Sequence, residues 1–286
     1  MQTLKGIRCH IQSVKRTQKV TRAMKQVAAA KLRPAQTKAL QARKYTQNLY
    51  EVIKKISSRS GVLAPQLMRR ASDIKDIDVL VITSDRGLCG GFNENLLWAV
   101  EDTVEEHNSH GIEVTLVVSG KKGYDYLKKR YDNILNIDDT RCAGEEEPAR
   151  CVSAFLVDRF LREKSSGAVL MFNRFQSTLM QKVTYWNLLP LYWHGLDVKY
   201  VPDYIYEPSK EATLDVLIKN MLVRSVEQAF WESRAAELAA RMTAMDNATK
   251  NADDMIAHLT LEYHKARQSS ITMELLDIVG GAEALK

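Results

Sequence analysis

The chain has 286 residues, 45% of them hydrophobic, and a net charge of +6, so one large domain or two ordinary ones can bury a core without disulfides or metals. No apolar run approaches the roughly 18 residues of a membrane span, and the basic, interrupted start lacks a signal peptide's apolar core. Cys9, Cys89, Cys142 and Cys151 form no CxxC pair and have no His at zinc-finger spacing, so reduced thiols are expected instead of a metal site or a disulfide framework.

The first element predicted is a helix over residues 1–60. Glycine is absent between Gly6 and Gly61, and apolar residues recur at three-and-four spacing: Leu4, Ile7, Ile11, Val14, then Val20, Met24, Val27, then Leu32, Ala35, Ala39, Ala42, and finally Leu49, Val52, Ile56. Pro34 interrupts this stripe and predicts a kink. The helix is strongly basic, with fourteen Lys and Arg against Glu51 alone in residues 1–57, and the rest of the chain is net acidic. Such a segment suits nucleic acid, an anionic membrane or a carboxylate-lined protein surface, and charge alone does not choose.

Residues 75–195 change period. Asp78 to Thr83 reads as a buried strand, Asn93 to Asn108 as a helix, Glu113 to Ser119 as a strand and Lys121 to Arg130 as a helix. An acidic irregular stretch around Glu145 to Glu147 precedes a helix over Ala149 to Lys164, a strand over Ala168 to Phe172 and a longer strand over Thr178 to Leu189. This order favours a small, mainly parallel open sheet with helices on its faces.

Residues 209–286 read as a second long helix, without proline after Pro208 and without glycine until Gly280. Its stripe runs through Leu214, Leu217, Met221, Ala235, Leu238, Met242, Met245, Ala252, Met255, Leu259, Ala266, Met273 and Leu276. Helices of about 55 and 75 residues would extend roughly 80 and 110 Å, beyond any compact core, so each is expected to bury its stripe against the other as an antiparallel coiled coil. The fold class is therefore α/β: a long pair of terminal helices plus a small Rossmann-like domain.

Candidate chemistry is thin. Thr83 to Asn93 (TSDRGLCGGFN) passes from strand to helix and invites a phosphate-loop reading, but it is neither GxGxxG nor GxxxxGK[ST], so a tight structural turn is the favoured alternative. Cys89 has no His within this loop to activate it. His107 and His110 stand three apart near a helix end. The carboxylate pairs Asp138-Asp139 and Asp253-Asp254 fit solvated faces, and Trp98, Trp186, Trp193 and Trp231 are too scattered for a base-stacking platform. On the last helix Lys265 to Thr272 (KARQSSIT) replaces the apolar stripe with polar residues, either a weak point in the helix pairing or a surface for a partner, and antiparallel pairing would roughly place it beside Met24 and Lys25.

Three motifs in order resemble one family over nearly the whole chain: Ser13 to Leu32 (SVKRTQKVTRAMKQVAAAKL), Ser84 to Gly91 (SDRGLCGG), and Ala240 to Met245 (ARMTAM) followed by Lys265 to Ala282 (KARQSSITMELLDIVGGA). The family is the gamma subunit of F-type ATP synthases. The resemblance implies a rotor without catalytic residues, cofactor or metal of its own, turning inside a ring of alpha and beta subunits and docked with the epsilon subunit on a c-subunit ring, with no nucleic acid among its partners. It implies that Met24, Lys25, Arg241, Arg267, Gln268 and Thr272 contact the catalytic ring, and that Tyr204, Tyr206 and Glu207 contact the c ring and epsilon. A bacterial form, peripheral on the cytoplasmic side of the inner membrane and without thiol regulation, is expected, because no chloroplast-type insertion and no transit peptide precede or interrupt the motifs.

Overall fold

A computed structural model describes residues 3–57, 66–68, 74–137, 148–191 and 204–283. Two helices dominate it, α1 (Leu4–Ser57) and α5 (Lys210–Glu283), of 54 and 74 residues. Ser209 caps α5, its Oγ accepting from the Ala212 N–H at 3.2 Å, and Glu211 sits favourably in the first turn. α1 is continuous through Pro34. Pro34 and Ala30, whose carbonyl loses its helical donor, are both exposed, so the missing bond falls on the solvent side.

The buried seam of α1 keeps a seven-residue step, through Ile7, Thr21, Ala28, Ala35, Leu49 and Ile56, with Leu32, Ala39, Thr46 and Ile53 between. That is the spacing of left-handed helix pairing. Three valines of the predicted stripe fall off it: Val20 and Val27 are 57% and 55% exposed, and Val52 also faces out. Polar residues took their places on the seam, which a reading based on hydrophobicity does not find. On α5, Leu238, Met245, Ala252 and Leu259 hold the same step, whereas Met255, Met273 and Leu276 are exposed. From Met221 to Ala240 most of α5 is buried, and from Ile271 to Gly280 all of it is exposed.

Between these helices the chain forms a five-stranded sheet in the order β3-β2-β1-β4-β5, with β1 (Asp76–Ile82), β2 (Glu113–Ser119), β3 (Ile134–Asn136) and β4 (Gly167–Phe175) parallel and β5 (Gln181–Leu189) antiparallel at the edge. The helices α2 (Phe92–Ser109), α3 (Lys121–Leu127) and α4 (Pro148–Leu161) connect them. Gly111, at φ +74°, ends α2 and aims the chain into β2. β3 was not anticipated; three residues carry no periodicity to read.

Both sheet faces are covered, which is why β1 and β4 carry unbroken apolar runs, at 79–82 and 168–172, instead of alternating. On one face Leu80, Ile82, Leu170 and Phe172 pack with Val152 and Leu156 of α4, Ile53 and Ile56 of α1 and Ile218, Leu222 and Val226 of α5. On the other, Val79, Val81, Val169 and Met171 pack with Leu96, Val100 and Val104 of α2 and Leu127 of α3. The chain divides into two compact units, Ala30–Ala240, which holds the sheet, and Met1–Ala29 with Arg241–Lys286, which is helical.

The cysteines depart from expectation. Cys9 and Cys89 are in no disulfide, but Cys151 of α4 is disulfide-bonded, to a partner outside the described residues. Spacing along the chain says nothing about which thiols the fold brings together. Cys142, Asp138-Asp139, Glu145 to Glu147, Trp193 and the end of the predicted first helix (58–60) also lie outside the described residues.

Candidate functional site

In the helical unit, α1 and α5 meet through polar contacts in antiparallel register. Thr21 Oγ1 and Thr249 Oγ1 are 2.8 Å apart and buried, Lys25 Nζ pairs with Asp246 Oδ1 at 2.5 Å, and Gln18 Nε2 donates to Asp253 Oδ1. Lys250 also reaches Asp246, at 3.1 Å. The hydrogen bond from Lys25, then that from Lys250, hold the Asp246 carboxyl below the usual carboxylate range. This register corrects one expectation: Lys25 stands opposite Asp246, about five helical turns from the polar Lys265 to Thr272 stretch. Long-helix sequences fix which face pairs, but not the slide along it.

Of the residues expected to meet a catalytic ring, Met24, Lys25 and Arg241 are half-buried, whereas Arg267, Gln268 and Thr272 are exposed, with Thr272 Oγ1 donating to the Gln268 carbonyl at 2.9 Å. Beyond them Met273, Leu275, Leu276, Ile278 and Val279 all present apolar side chains to solvent. The α1 face beside this pairing is basic through Lys15, Arg16, Lys19 and Arg22, all exposed.

In the other unit Tyr204, Tyr206 and Glu207 lead into α5. The two tyrosine rings stand edge to face with centroids 6.4 Å apart, Lys210 Nζ lies 5.8 Å from the Tyr206 ring, and the Glu207 carbonyl accepts from Thr213 Oγ1 at 3.4 Å. Tyr204 and Glu207 are exposed, and Ile205 between them almost wholly so.

The Ser84 to Gly91 loop is bonded to itself. Asn93 Oδ1 accepts the Ser84 N–H at 3.1 Å, Asn93 Nδ2 donates to Ser84 Oγ at 2.8 Å, and Ser84 Oγ donates to the Arg86 carbonyl at 2.8 Å. Asp85 Oδ1 accepts the Lys121 N–H at 3.2 Å, while Leu88 and Gly90 take positive φ. Cys89 is buried, packed with Phe92 against Ala236 and Ala240 of α5. These bonds hold a tight structural turn, and the packing of Cys89 and Phe92 seats it on α5.

A cleft of about 950 Å³ opens at the carboxyl ends of β1 and β2, where open α/β sheets bind ligands. Its Lys219, Arg224 and Arg234 are paired along their own helix with Asp215, Glu227 and Glu237, so it lacks a ring of uncommitted charge. His107 and His110 do not converge: each Nδ1 lies 2.7 Å from its own helix's carbonyl, of Thr103 and Glu106. Among the described residues no group of three His, Cys, Asp or Glu side chains is placed to hold a metal ion.

One buried ion pair escaped the sequence reading. Asp78 of β1 is 1% exposed and receives Arg159 of α4 through Nε at 2.9 and 3.1 Å and Nη2 at 2.9 Å. Burial pushes its carboxyl above the usual range, with the Arg159 bonds and charge pulling back. Its place inside the sheet, away from any cleft lining, makes it architectural.

Two long helices that pair along a polar seam and a five-stranded sheet covered on both faces define the class of protein. Known proteins give it a family. The family model described as ATP synthase matches residues 3–285. ATP synthase gamma chains of Geotalea uraniireducens, Geobacter metallireducens and Chlorobium phaeobacteroides are 42%, 41% and 40% identical, each covering 100% of both chains. The chain belongs to the ATP synthase family, among its gamma chains. Its fold is shared with a chain of the Euglena gracilis mitochondrial ATP synthase (OSCP/F1/c-ring, rotational state 3), at TM-score 0.68 and 18% identity over 99% of this chain and 94% of that one. It is shared too with one of the Tetrahymena thermophila central stalk/c-ring, at 0.56 and 24% over 80% and 99%.

Proposed function

We propose that the chain is the rotor of a bacterial F-type ATP synthase, coupling proton flow to ATP synthesis and hydrolysis in surrounding alpha and beta subunits, with no catalytic residue, cofactor or metal of its own. The observation that carries this reading is the helix pair. Its polar seam of Gln18–Asp253, Thr21–Thr249 and Lys25–Asp246 leaves an outer surface that is basic on α1 and apolar toward the end of α5. A lopsided axle inside a ring of repeated subunits contacts each differently, and differential contact is what shifts each subunit's conformational population. Exposed Arg267, Gln268 and Thr272, with Met24, Lys25 and Arg241, are the ring contacts. Weak, screened surface pairs suit them, since each is worth about 0–1 kcal/mol and can break as the rotor turns.

Exposed Tyr204 and Glu207, with Tyr206, dock on the c ring beside epsilon. The protein is then peripheral, on the cytoplasmic side of the inner membrane. Consistent with this, no helix among the described residues is long and apolar enough to cross a membrane. The test is purification of the complex through a tag on this chain: alpha, beta and epsilon subunits are expected with it. Recovery of the chain alone, with ATPase activity or nucleotide bound at Gly87 to Gly91, would replace the rotor by an enzyme. Salt-sensitive DNA binding with sequence preference would replace it by a nucleic-acid protein.

A further inference from the structure

At the carboxyl end of β4, one carboxylate joins three parts of the chain. The side chain of Glu232, on α5, is 0% exposed. Its Oε1 accepts from Arg43 Nε of α1 at 2.8 Å and lies 2.6 Å from Arg43 Nη2, and its Oε2 accepts the backbone N–H of Phe175 at 3.2 Å. Arg43 Nη2 also donates to the Phe175 carbonyl at 3.4 Å. Phe175 is the last residue of β4, so the sheet is bonded through its backbone to both long helices at once.

The same face of α5 continues, one and two turns on, as Ala236 and Ala240, which pack under Cys89 and Phe92 with the Phe175 ring against them. Asn173 Nδ2, two residues before Phe175, donates to the Phe92 carbonyl at 2.8 Å, tying the loop to the same strand. The row Glu232, Ala236, Ala240 is therefore a second seat of the sheet on α5, beyond the one made by Ile218, Leu222 and Val226. Its alanine part is smooth and apolar, and apolar contact has no preferred direction. Hydrogen bonds do, and only Glu232 supplies them on this row. Burying a charge here is not the cheapest way to fill the space, since an apolar pair of similar volume commonly holds as well or better. What the pair adds is orientation.

We infer that Arg43, Glu232 and the Phe175 backbone form the angular lock through which torque passes between the α/β sheet and the paired helices. These are positioning residues, and the inference rests on the rotor reading. Without them the sheet stays attached by its apolar core but turns more freely about the α5 axis.

The test uses the assembled complex, its alpha and beta ring fixed to a surface and a probe on the α/β sheet of this chain, comparing wild type with Arg43→Met/Glu232→Met. The methionine pair fills the volume, so assembly, ATP hydrolysis and Tm are expected near wild type. The angular variance of the probe during a stalled pause is expected to rise roughly twofold, because directional bonds have been replaced by contacts that permit rotation. Arg43→Lys, which keeps a donor to Glu232, should fall between. Variance equal to wild type in the assembled double variant overturns the lock. If that variant does not assemble, Arg43→Leu/Glu232→Leu, which also keeps no directional bond on this row, is read the same way, and an unbroadened angle overturns the lock there too. A wild-type probe that does not turn with ATP would instead sink the rotor reading itself.

Discussion

Replacing Arg159 by Met would leave the Asp78 carboxylate inside the sheet without its three charge-assisted bonds. Removing one member of a buried ion pair costs about 3–5 kcal/mol. Arg159 keeps 19% of its side chain exposed, so water enters partway and the low end, about 3 kcal/mol at pH 7, is expected. The pH dependence has a definite sign. Burial already holds the Asp78 carboxyl above its ordinary range, and losing Arg159 raises it further. A carboxyl whose folded-state pKa is raised favours the fold when protonated and loses that contribution as pH rises, so the Arg159→Met deficit should shrink between pH 7 and 5. Asp78→Leu combined with Arg159→Met removes both charges and should return to within about 1 kcal/mol of wild type. Urea unfolding of the purified chain, followed by tryptophan fluorescence and circular dichroism, gives all three values. The reasoning fails if Arg159→Met costs less than about 0.5 kcal/mol at pH 7, or if the double variant costs as much as the two singles summed.

Two glycines with positive φ make a contrast for thermal melting. Gly120→Ala places a Cβ 2.4 Å from the Thr83 carbonyl oxygen at φ +101°, whereas Gly111→Ala at φ +74° meets nothing within 4 Å. The first should cost about 3 kcal/mol or more and the second about 1, and equal losses would refute the assignment. Thr21→Val and Thr249→Val should each cost only about 1 kcal/mol, because the partner hydroxyl can still donate to its own helix, at the Gln18 or Met245 carbonyl. The double variant should recover that loss, and a denaturation cycle showing no coupling would dismiss the pair. Asp246→Asn should destabilise the helical unit at neutral pH and become indistinguishable from wild type in acid. The depressed Asp246 carboxyl contributes above the unfolded value of about 4 and loses its contribution as pH falls through the folded one. A difference that persists below that range would count against Lys25 as its partner.

Most of the architecture was legible because it is periodic. The Ser84 to Gly91 loop, the alternation of strands and helices and the two glycine-free ends each leave a local signature, and the structure places β2 on the residues read for it, Glu113–Ser119. What was not legible is what depends on distance through space. Nothing in the sequence around Glu232 sets it apart; Arg43 and the Phe175 backbone, both far away in sequence, make it a buried partner. Asp78 and Arg159 are likewise separated by most of the sheet. Val20 and Val27 are better apolar candidates than Thr21 by composition, yet the Thr249 hydroxyl opposite Thr21 shows which face is closed. The polar break at Lys265 to Thr272 marks Arg267 and Gln268 as a candidate partner surface from the stripe alone, but which partner they meet is legible only by resemblance.

The uneven burial of α5 means that one continuous helix holds regions of very different resistance to opening. Its middle, with side chains packed around most of its circumference, can lose its backbone bonds only when the sheet comes away. The stretch from Ile271 to Gly280, exposed throughout, frays at almost no cost. Outside its assembly the chain should therefore be nicked by proteases near that end first, and enclosure by other subunits would protect it. Partial digestion patterns would thus report whether a given molecule is still waiting for its complex.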